Sequence, residues 1–180
     1  MNYELEQKIL THMKKDAAGH RDFGSIYKDR DLMKNVIDFL AEPFKGKIDY
    51  VAAPGPMGFM LGSMLAVELN VGFIPIRNGA LYTRTGALYT LEDDECVRAS
   101  YIDHNNQPKM LQIRKDAELE NCKVLLVDDW IDTAATMYAC KTLVEDIPGT
   151  VVGIATIGTK NSETARALKQ EGELRSIVMV

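Results

Sequence analysis

The chain has 180 residues, of which 46% are hydrophobic and 26% charged, and its formal net charge is -5. These values are ordinary for a globular protein. The acidic balance disfavours broad binding to nucleic acid or to anionic membranes, and no apolar run approaches the roughly 20 residues that span a bilayer. We therefore expect one domain over residues 1–180, with neither nucleic acid nor a membrane as its partner.

The cysteines and the N-terminus indicate the compartment. Cys96, Cys122 and Cys140 are odd in number, scattered, and lack the CxxC spacing of zinc and redox sites. They favour a reducing environment and argue against a disulfide framework. The first 15 residues carry their acids first and their lysines last, unlike a secretory signal. The sequence predicts a cytoplasmic protein.

Helical and strand patterns alternate from the first residues onward. Apolar residues recur at helical spacing near the N-terminus, and Asp29 or Asp31 can cap a second helix. The elements predicted up to residue 78 are a helix over 2–15, a turn-rich stretch over 17–27, a helix to about Leu40, a strand over 47–54, a helix over 58–69 and a short strand over 72–76.

The second half of the chain continues the alternation. Its predicted elements are strands over 96–102 and 109–115 around a polar loop, an apolar strand over 123–129, a helix over 133–145, a strand over 150–157, a helix over 162–171 and a last strand from residue 175. A continuous apolar strand is typical of a parallel sheet that is covered on both faces. The pattern predicts an α/β fold, a Rossmann-like parallel sheet flanked by helices.

Residues 79–90 interrupt this alternation. The stretch GALYTRTGALYT contains the pentapeptide GALYT twice. Its Thr and Tyr residues favour β structure and its Arg-Thr-Gly favours a turn, so we expect an exposed β-hairpin.

Residues 124–137, VLLVDDWIDTAATM, carry the strongest chemical signal. In open α/β sheets, ligands bind at the carboxyl ends of the strands, where Asp128 and Asp129 are expected. Thr133 and Thr136 follow at the predicted start of a helix, where free N–H groups favour an anion. This pattern suits a phosphorylated sugar, with the acids accepting from its hydroxyls. The alternative is a strand that ends in solvated acids, with Thr133 as a helix cap.

This stretch resembles the phosphoribosyl pyrophosphate motif of the type I phosphoribosyltransferases. Over about residues 18–160 the chain is most similar to adenine phosphoribosyltransferase. HRDFGSIYKDRDLMKNVIDFLAE (20–42) resembles its base-binding hood segment, and DYVAAPGPMGFMLGSMLAVELNVGFIPIRN (49–78) resembles its pyrophosphate loop with the helix and strand that follow. LQIRKDAELENCKVLLVDD (111–129) is similar to the segment that leads into the motif. The resemblance implies the fold of that family, with a small hood over about residues 1–28 and a β-hairpin flap over about residues 79–106. It also implies a homodimer.

The resemblance assigns roles to individual residues. Asp128 and Asp129 would bind the ribose hydroxyls, and Arg77 would contact the pyrophosphate. His104 and its neighbour Asp103 are candidates for proton handling. The residues implied to contact the substrates are Asp132, Thr133, Ala134, Ala135 and Thr136 at the 5-phosphate, Pro54, Gly55, Pro56, Met57 and Gly58 at the pyrophosphate, His20 and Arg21 at the base, and Arg84 at the tip of the flap. Magnesium would be held mainly by oxygens of the donor, and the resemblance assigns no side chain as a separate metal ligand.

Several positions depart from the family pattern. Ala134 and Ala135 stand where glycines are common, and an alanine that needs positive φ is strained by roughly 1 kcal/mol. Met57 stands where a basic residue is usual, and Arg84 is a candidate to restore that charge. No glutamate follows Ser100-Tyr101 in the flap.

Three functions therefore follow from the sequence. The first is phosphoribosyl transfer to a purine, with adenine as the base suggested by the resemblance, in purine salvage. The second is a catalytically impaired regulatory module that binds phosphoribosyl pyrophosphate or a nucleotide. The third is a phosphoribosyltransferase for another base. The segment 79–106 is expected to close over the site, with a rigid hairpin at a dimer interface as the alternative.

Overall fold

A computed structural model describes residues 3–15, 21–79, 95–103, 106–170 and 172–180. The strands are β1 Lys14–Lys15, β2 Arg21–Asp22, β3 Tyr50–Pro54, β4 Gly72–Asn78, β5 Cys96–Ile102, β6 Pro108–Arg114, β7 Lys123–Ile131, β8 Thr150–Thr159 and β9 Leu174–Met179. The α-helices are α1 Tyr3–His12, α2 Gly24–Lys28, α3 Arg30–Ala41, α4 Met57–Leu69, α5 Ala135–Asp146 and α6 Glu163–Gln170.

The main sheet of the described residues has seven strands in the order β5-β6-β4-β3-β7-β8-β9. β4, β3, β7, β8 and β9 are mutually parallel, as the sequence predicts. β6 runs antiparallel to both β4 and β5. The short connection between β5 and β6 allows only an antiparallel pair, because parallel strands need a long crossover. The predicted α/β class is confirmed, with an antiparallel edge added to the parallel sheet.

Both faces of this sheet are covered by helices. Leu125 and Val127 of β7 pack into one apolar cluster together with residues of α1, α3 and α4. Val124 and Leu126 point the other way, into a second cluster with α5 and α6. Successive side chains of a strand alternate between the two faces. The continuous apolar run before the acids is therefore explained by burial on both sides.

Local signals set several helix ends. Oδ1 of Asp29 accepts from the backbone N–H groups of Asp31 and Leu32, at 3.1 and 3.0 Å, so Asp29 is the residue that caps α3. The cap satisfies donors that the first turn of a helix leaves unpaired. A second helix, α4, ends at Asn70, which adopts a left-handed conformation with φ 56°.

The N-terminal part contains more regular structure than the sequence predicts. Lys14 pairs with Asp22 and Lys15 with Arg21 in a two-stranded antiparallel sheet, and the short helix α2 follows. We call residues 3–28, without the undescribed 16–20, the hood. The GALYT hairpin was predicted over residues 79–90, and all of these except Gly79 lie outside the described residues. Within the described ranges, no helix has the length and apolar character needed to cross a membrane.

Candidate active site

A cavity of about 790 Å³ opens at the carboxyl ends of β3 and β7. These two strands are parallel neighbours, so Pro54 at the end of β3 and Asp128 near the end of β7 reach the same edge of the sheet. The cavity brings together most of the residues that the sequence selects. Those that line it are Arg21, Pro54, Gly55, Pro56, Met57, Asp128, Asp129, Asp132, Thr133, Ala134 and Thr136.

The loop between β3 and α4 forms one wall. The Gly55–Pro56 peptide bond is cis, and α4 begins directly after it at Met57. A β-carbon on Gly55 would lie 2.7 Å from the ring of Phe59, so only glycine fits without a shift. Gly58 lies behind this wall, where a β-carbon would be 3.1 Å from Oδ1 of Asp128.

The two acids occupy the floor of the cavity. Oδ1 of Asp128 accepts from the backbone N–H of Asp129 at 3.0 Å. Burial raises the pKa of the Asp128 carboxyl well above its ordinary value, and the neighbouring charge of Asp129 raises it further. Burial also raises the pKa of Asp129, although hydrogen bonding from Asp128 opposes the shift. Both residues are half-buried, and a cationic or hydrogen-bonding ligand favours the ionised forms of their carboxyls.

The loop from Asp132 to Thr136 forms the opposite wall. Ala134 is left-handed, with φ 63°, and precedes the first residue of α5. The helix therefore begins at Ala135, two residues later than the predicted start at Thr133. The first N–H groups of a helix have no partner within it and carry partial positive charge. Because Thr133, Ala134 and Thr136 line the cavity next to this helix end, the wall is suited to an anion.

Lys160 places an ammonium group beside the same loop. Its Nζ lies 3.4 Å from Oδ1 of Asp132, and its backbone N–H donates to the carbonyl of Ile131 at 2.9 Å. The side chain lines the cavity and is 65% exposed. An anion that enters the loop therefore meets an ammonium group as well as the helix end.

The hood contributes the remaining wall. Lys15 and Arg21 are directly opposite in the β1–β2 pair, so their side chains share one face, and both line the cavity. The guanidinium carbon of Arg21 lies 4.8 Å from the centre of the Trp130 ring. Trp130 in turn packs on Phe23, with ring centres 6.3 Å apart. This arrangement provides an aromatic surface directly beside Asp129.

Other lining residues were not selected from the sequence. They are Lys15, Asn78, Tyr101, Leu111, Trp130, Ile131, Met137, Lys160 and Val180. Asp103, which the sequence offers together with His104 for proton handling, also lines the cavity. Burial raises the pKa of the Tyr101 hydroxyl, which a hydrogen bond with Thr136 partly offsets. Trp130 is the one tryptophan of the chain and directly follows the acid pair, so its place in the cavity could have been predicted from the sequence. Nothing in the sequence around Lys160 indicates that it reaches the cavity.

Some predicted residues lie elsewhere. Arg77 is exposed and lines a separate cavity of about 190 Å³ beside Gln112 and Arg114. Its neighbour Asn78 faces the main cavity instead, because adjacent residues of a strand point in opposite directions. Ala135 begins α5 outside the cavity lining. The predictions for His20, Arg84 and His104 fall outside the described residues.

Comparison with known proteins gives one consistent answer. The phosphoribosyl transferase domain family matches residues 24–178. An adenine phosphoribosyltransferase of Clostridium botulinum (strain Hall) is 33% identical over 160 residues, covering 86% of this chain and 84% of that protein.

Solved structures agree with the sequence match. The adenine phosphoribosyltransferase of Thermoanaerobacter pseudethanolicus superimposes with a TM-score of 0.81 at 28% identity, over 97% of this chain and 99% of that one. The Saccharomyces cerevisiae enzyme, solved with adenine and an imino-altritol bisphosphate, gives 0.72 at 26% identity, over 98% and 97% of the two chains. The chain belongs to the phosphoribosyltransferase family. Within it, the predicted similarity to adenine phosphoribosyltransferases is confirmed.

Proposed function

We propose that this protein transfers the phosphoribosyl group of phosphoribosyl pyrophosphate to a purine base, with adenine as the first candidate, releasing pyrophosphate. The observation that carries the proposal is the meeting of three structures in one cavity: the acid pair of β7, the anion-binding loop 132–136 and the glycine-rich loop 54–58. In that order, the three structures correspond to the ribose, the 5-phosphate and the pyrophosphate of the donor. Adenine is suggested by the names of the relatives.

Each wall has a role in this proposal. Asp128 and Asp129 accept from the ribose hydroxyls, and the helix end at Ala135 with Thr133, Thr136 and Lys160 holds the 5-phosphate. The base lies against the hood, near Arg21 and Trp130. Attack by a ring nitrogen on the anomeric carbon forms the new glycosidic bond as the bond to pyrophosphate breaks, and the N–H proton of the base is released to solvent. The protein contributes mainly by aligning the two reactants and by stabilising the charge that develops.

Magnesium is proposed as a partner of the donor. Carboxylate and phosphate oxygens are the ligands that Mg²⁺ prefers. The carboxyls of Asp128 and Asp129, whose pKa values burial raises, fit this chemistry because a nearby divalent cation would favour their ionised forms. When bound, the ion neutralises charge on the leaving pyrophosphate.

The test is pyrophosphate release from phosphoribosyl pyrophosphate with magnesium, across a panel of adenine, hypoxanthine, guanine and pyrimidine bases. We expect release that depends on a purine and is greatest with adenine. If pyrophosphate is released only with another base, that base and not adenine is the acceptor. Failure to release pyrophosphate with every base would refute the transferase proposal.

A second candidate is a regulatory module that binds the donor or a nucleotide without turnover. It is favoured by the position of Arg77, whose side chain lines a different cavity from the loop 54–58. Met57 in that loop carries no charge. Saturable binding of phosphoribosyl pyrophosphate with no turnover across the same base panel would select this candidate.

A homodimer completes the proposal. Large apolar side chains form an exposed row on α4, with Met57 37%, Met60 40%, Met64 40% and Val67 81% exposed. Their spacing of three, four and three residues is that of a seam between two packed helices. A two-fold axis lets one such row pack against its copy. Met60→Glu with Met64→Glu should give a monomer by light scattering, whereas Tyr138→Glu, at an exposed position of α5, should not. A dimer that survives the double change would exclude this interface.

Two further predictions from the sequence remain part of the proposal. A cytoplasmic location is supported by three free thiols, at Cys96, Cys122 and Cys140. The segment 79–106 is proposed to close over the cavity. Protection of a cleavage at Arg84 by phosphoribosyl pyrophosphate and magnesium would support closure, and equal cleavage with and without these ligands would oppose it.

A further inference from the structure

A second large cavity lies at the amino ends of the strands, whereas the main cavity lies at their carboxyl ends. It has a volume of about 660 Å³ and is formed by the turn after α3 and by the starts of β7, β8 and β9. Its lining residues are Pro43, Phe44, Gly46, Lys47, Lys123, Val152, Gly172, Leu174 and Arg175. Lys123 begins β7, whereas Asp128 lies five positions further along that strand. At about 3.3 Å per residue, the two cavities are therefore about 17 Å apart along the strand.

The charge of this lining is unusual for the chain. Three of the lining residues are cations, Lys47, Lys123 and Arg175, and none is an acid. The chain as a whole has 26 acidic and 21 basic residues. Acids do lie nearby, since Asp49 accepts from the backbone N–H of Lys123 and the charge of Glu42 acts on Arg175. The charged side chains that line the cavity itself are all cations, and low-dielectric walls focus their field toward an anion.

Arg175 is the most enclosed of the three cations. Its Nε and Nη2 donate to the carbonyl of Phe39 at 3.3 and 3.1 Å, and its guanidinium lies 3.6 Å from the centre of the Phe39 ring. These contacts fix its position at the end of α3. Burial lowers the pKa of Arg175, and the charge of Glu42 opposes that shift. In the part of the chain that the structure describes, no carboxylate forms an ion pair with this guanidinium.

The two lysines are exposed and have no ion pair among the described residues. The carboxylate of Asp49 accepts from the backbone N–H of Lys123 at 2.7 Å, not from its side chain. Lys45 provides a contrast, because its Nζ is 3.0 Å from Oε1 of Glu68. Lys45 and Lys47 are two positions apart, but Lys45 pairs with Glu68 whereas Lys47 lines the cavity.

We propose that this cavity binds a polyphosphate chain, supplied either by a nucleoside triphosphate or by inorganic polyphosphate. A single phosphate group carries at most about two negative charges, whereas a chain of linked phosphates carries enough to match three separate cations. Phe44 and Leu174 line the same cavity and offer an apolar wall to the nucleoside of a triphosphate. The inference is independent of the proposed transferase function, because it uses none of the residues of the main cavity.

Calorimetric titration of the full-length protein with tripolyphosphate and with ATP, both without magnesium, tests the proposal. Lys47→Gln with Lys123→Gln should weaken binding at least tenfold or remove one site from the stoichiometry. Lys45→Gln is the matched control and should change affinity less than twofold. Because all three lysines are exposed, we expect the melting temperature to stay within about 2 °C of the unchanged protein.

The two ligands identify the source of the phosphates. Tighter binding of ATP indicates a nucleoside triphosphate whose nucleoside contacts the apolar wall, and tighter or equal binding of tripolyphosphate indicates an inorganic chain. Three results would overturn the proposal: no binding of either ligand at 1 mM, roughly; unchanged affinity and stoichiometry in the double variant; or equal weakening in Lys45→Gln, which would mark diffuse surface charge.

Discussion

Gly58 lies against Asp128 so closely that a β-carbon at position 58 would be 3.1 Å from Oδ1 of the carboxylate. The same β-carbon would be 3.2 Å from the carbonyl of Val127 and 3.3 Å from Pro54. Gly58 is therefore the point at which the first turn of α4 rests on the end of β7. The missing side chain lets the loop 54–58 and the acid pair share one cavity.

Gly58→Ala should therefore separate affinity from stability. Alanine favours a helix over glycine by up to about 1 kcal/mol, which opposes destabilisation, while its methyl group displaces the Asp128 carboxylate by a few tenths of an ångström. We expect affinity for phosphoribosyl pyrophosphate to fall several-fold at a melting temperature close to that of the unchanged protein. Calorimetry and thermal melting measure the two effects. Ser63→Ala, at an exposed position of α4, is the control, and equal affinities in both variants would contradict the prediction.

Asp128→Asn and Asp129→Asn should each weaken binding of phosphoribosyl pyrophosphate or nucleotide. A hydrogen bond to a charged group contributes about 1.5–3 kcal/mol, so the dissociation constant should rise roughly 10- to 100-fold. Both variants should keep their fold, because amide and carboxylate have the same shape. Isothermal titration with a parallel melting curve provides the measurement. Unchanged affinity in both would mean that the acids have a structural role only.

The raised pKa values of the acid pair predict how stability depends on pH. A carboxyl whose pKa is higher in the folded state favours folding below its unfolded pKa of about 3.9, and this contribution is lost as pH rises through the folded pKa. Burial raises the pKa of both Asp128 and Asp129. The ligand-free protein should therefore lose stability relative to Asp129→Asn as pH rises above about 4. Melting curves across that range measure the difference, and parallel profiles for the two proteins would argue against the shift.

Ala134→Gly should stabilise the protein. Ala134 is left-handed, with φ 63°, a conformation that costs an alanine about 1 kcal/mol relative to glycine. Relief of that strain should raise the melting temperature by about 2–4 °C for a chain of this length. Ala135→Gly is the matched control, because it places glycine in the first turn of α5 and should lower stability by roughly 0.5–1 kcal/mol. A lower melting temperature for Ala134→Gly would show that the backbone at this position carries no strain.

Local sequence signals were sufficient for the centre of the fold. The apolar run before Asp128, the glycines and prolines after β3 and the Thr-rich turn each belong to one short segment, and each was predicted within a few residues. The start of α5 was misplaced, because nothing local distinguishes a left-handed Ala134 from a helical one. Positive φ there depends on how the loop returns from β7 to the helix.

Relationships between distant segments were not predictable in the same way. The contact of Arg21 with Trp130 joins residues more than 100 positions apart, and its distance of 4.8 Å depends on how the hood packs over the sheet. The pairing of Lys160 with Asp132 depends on the relative ends of β7 and β8. Arg77 shows a third limit, since a strand directs it away from the cavity that Asn78 faces. One residue of register decides which of the two side chains reaches a ligand.

Met57 belongs to two surfaces at once. It lines the main cavity in the loop 54–58 and also begins the exposed apolar row of α4. A second subunit that packs on this row therefore touches the wall against which the pyrophosphate of the donor is proposed to lie. Thermodynamic reciprocity then requires that donor binding change the affinity between subunits by the same factor by which association changes donor affinity. The occupancy of the cavity would depend on the concentration of the protein itself.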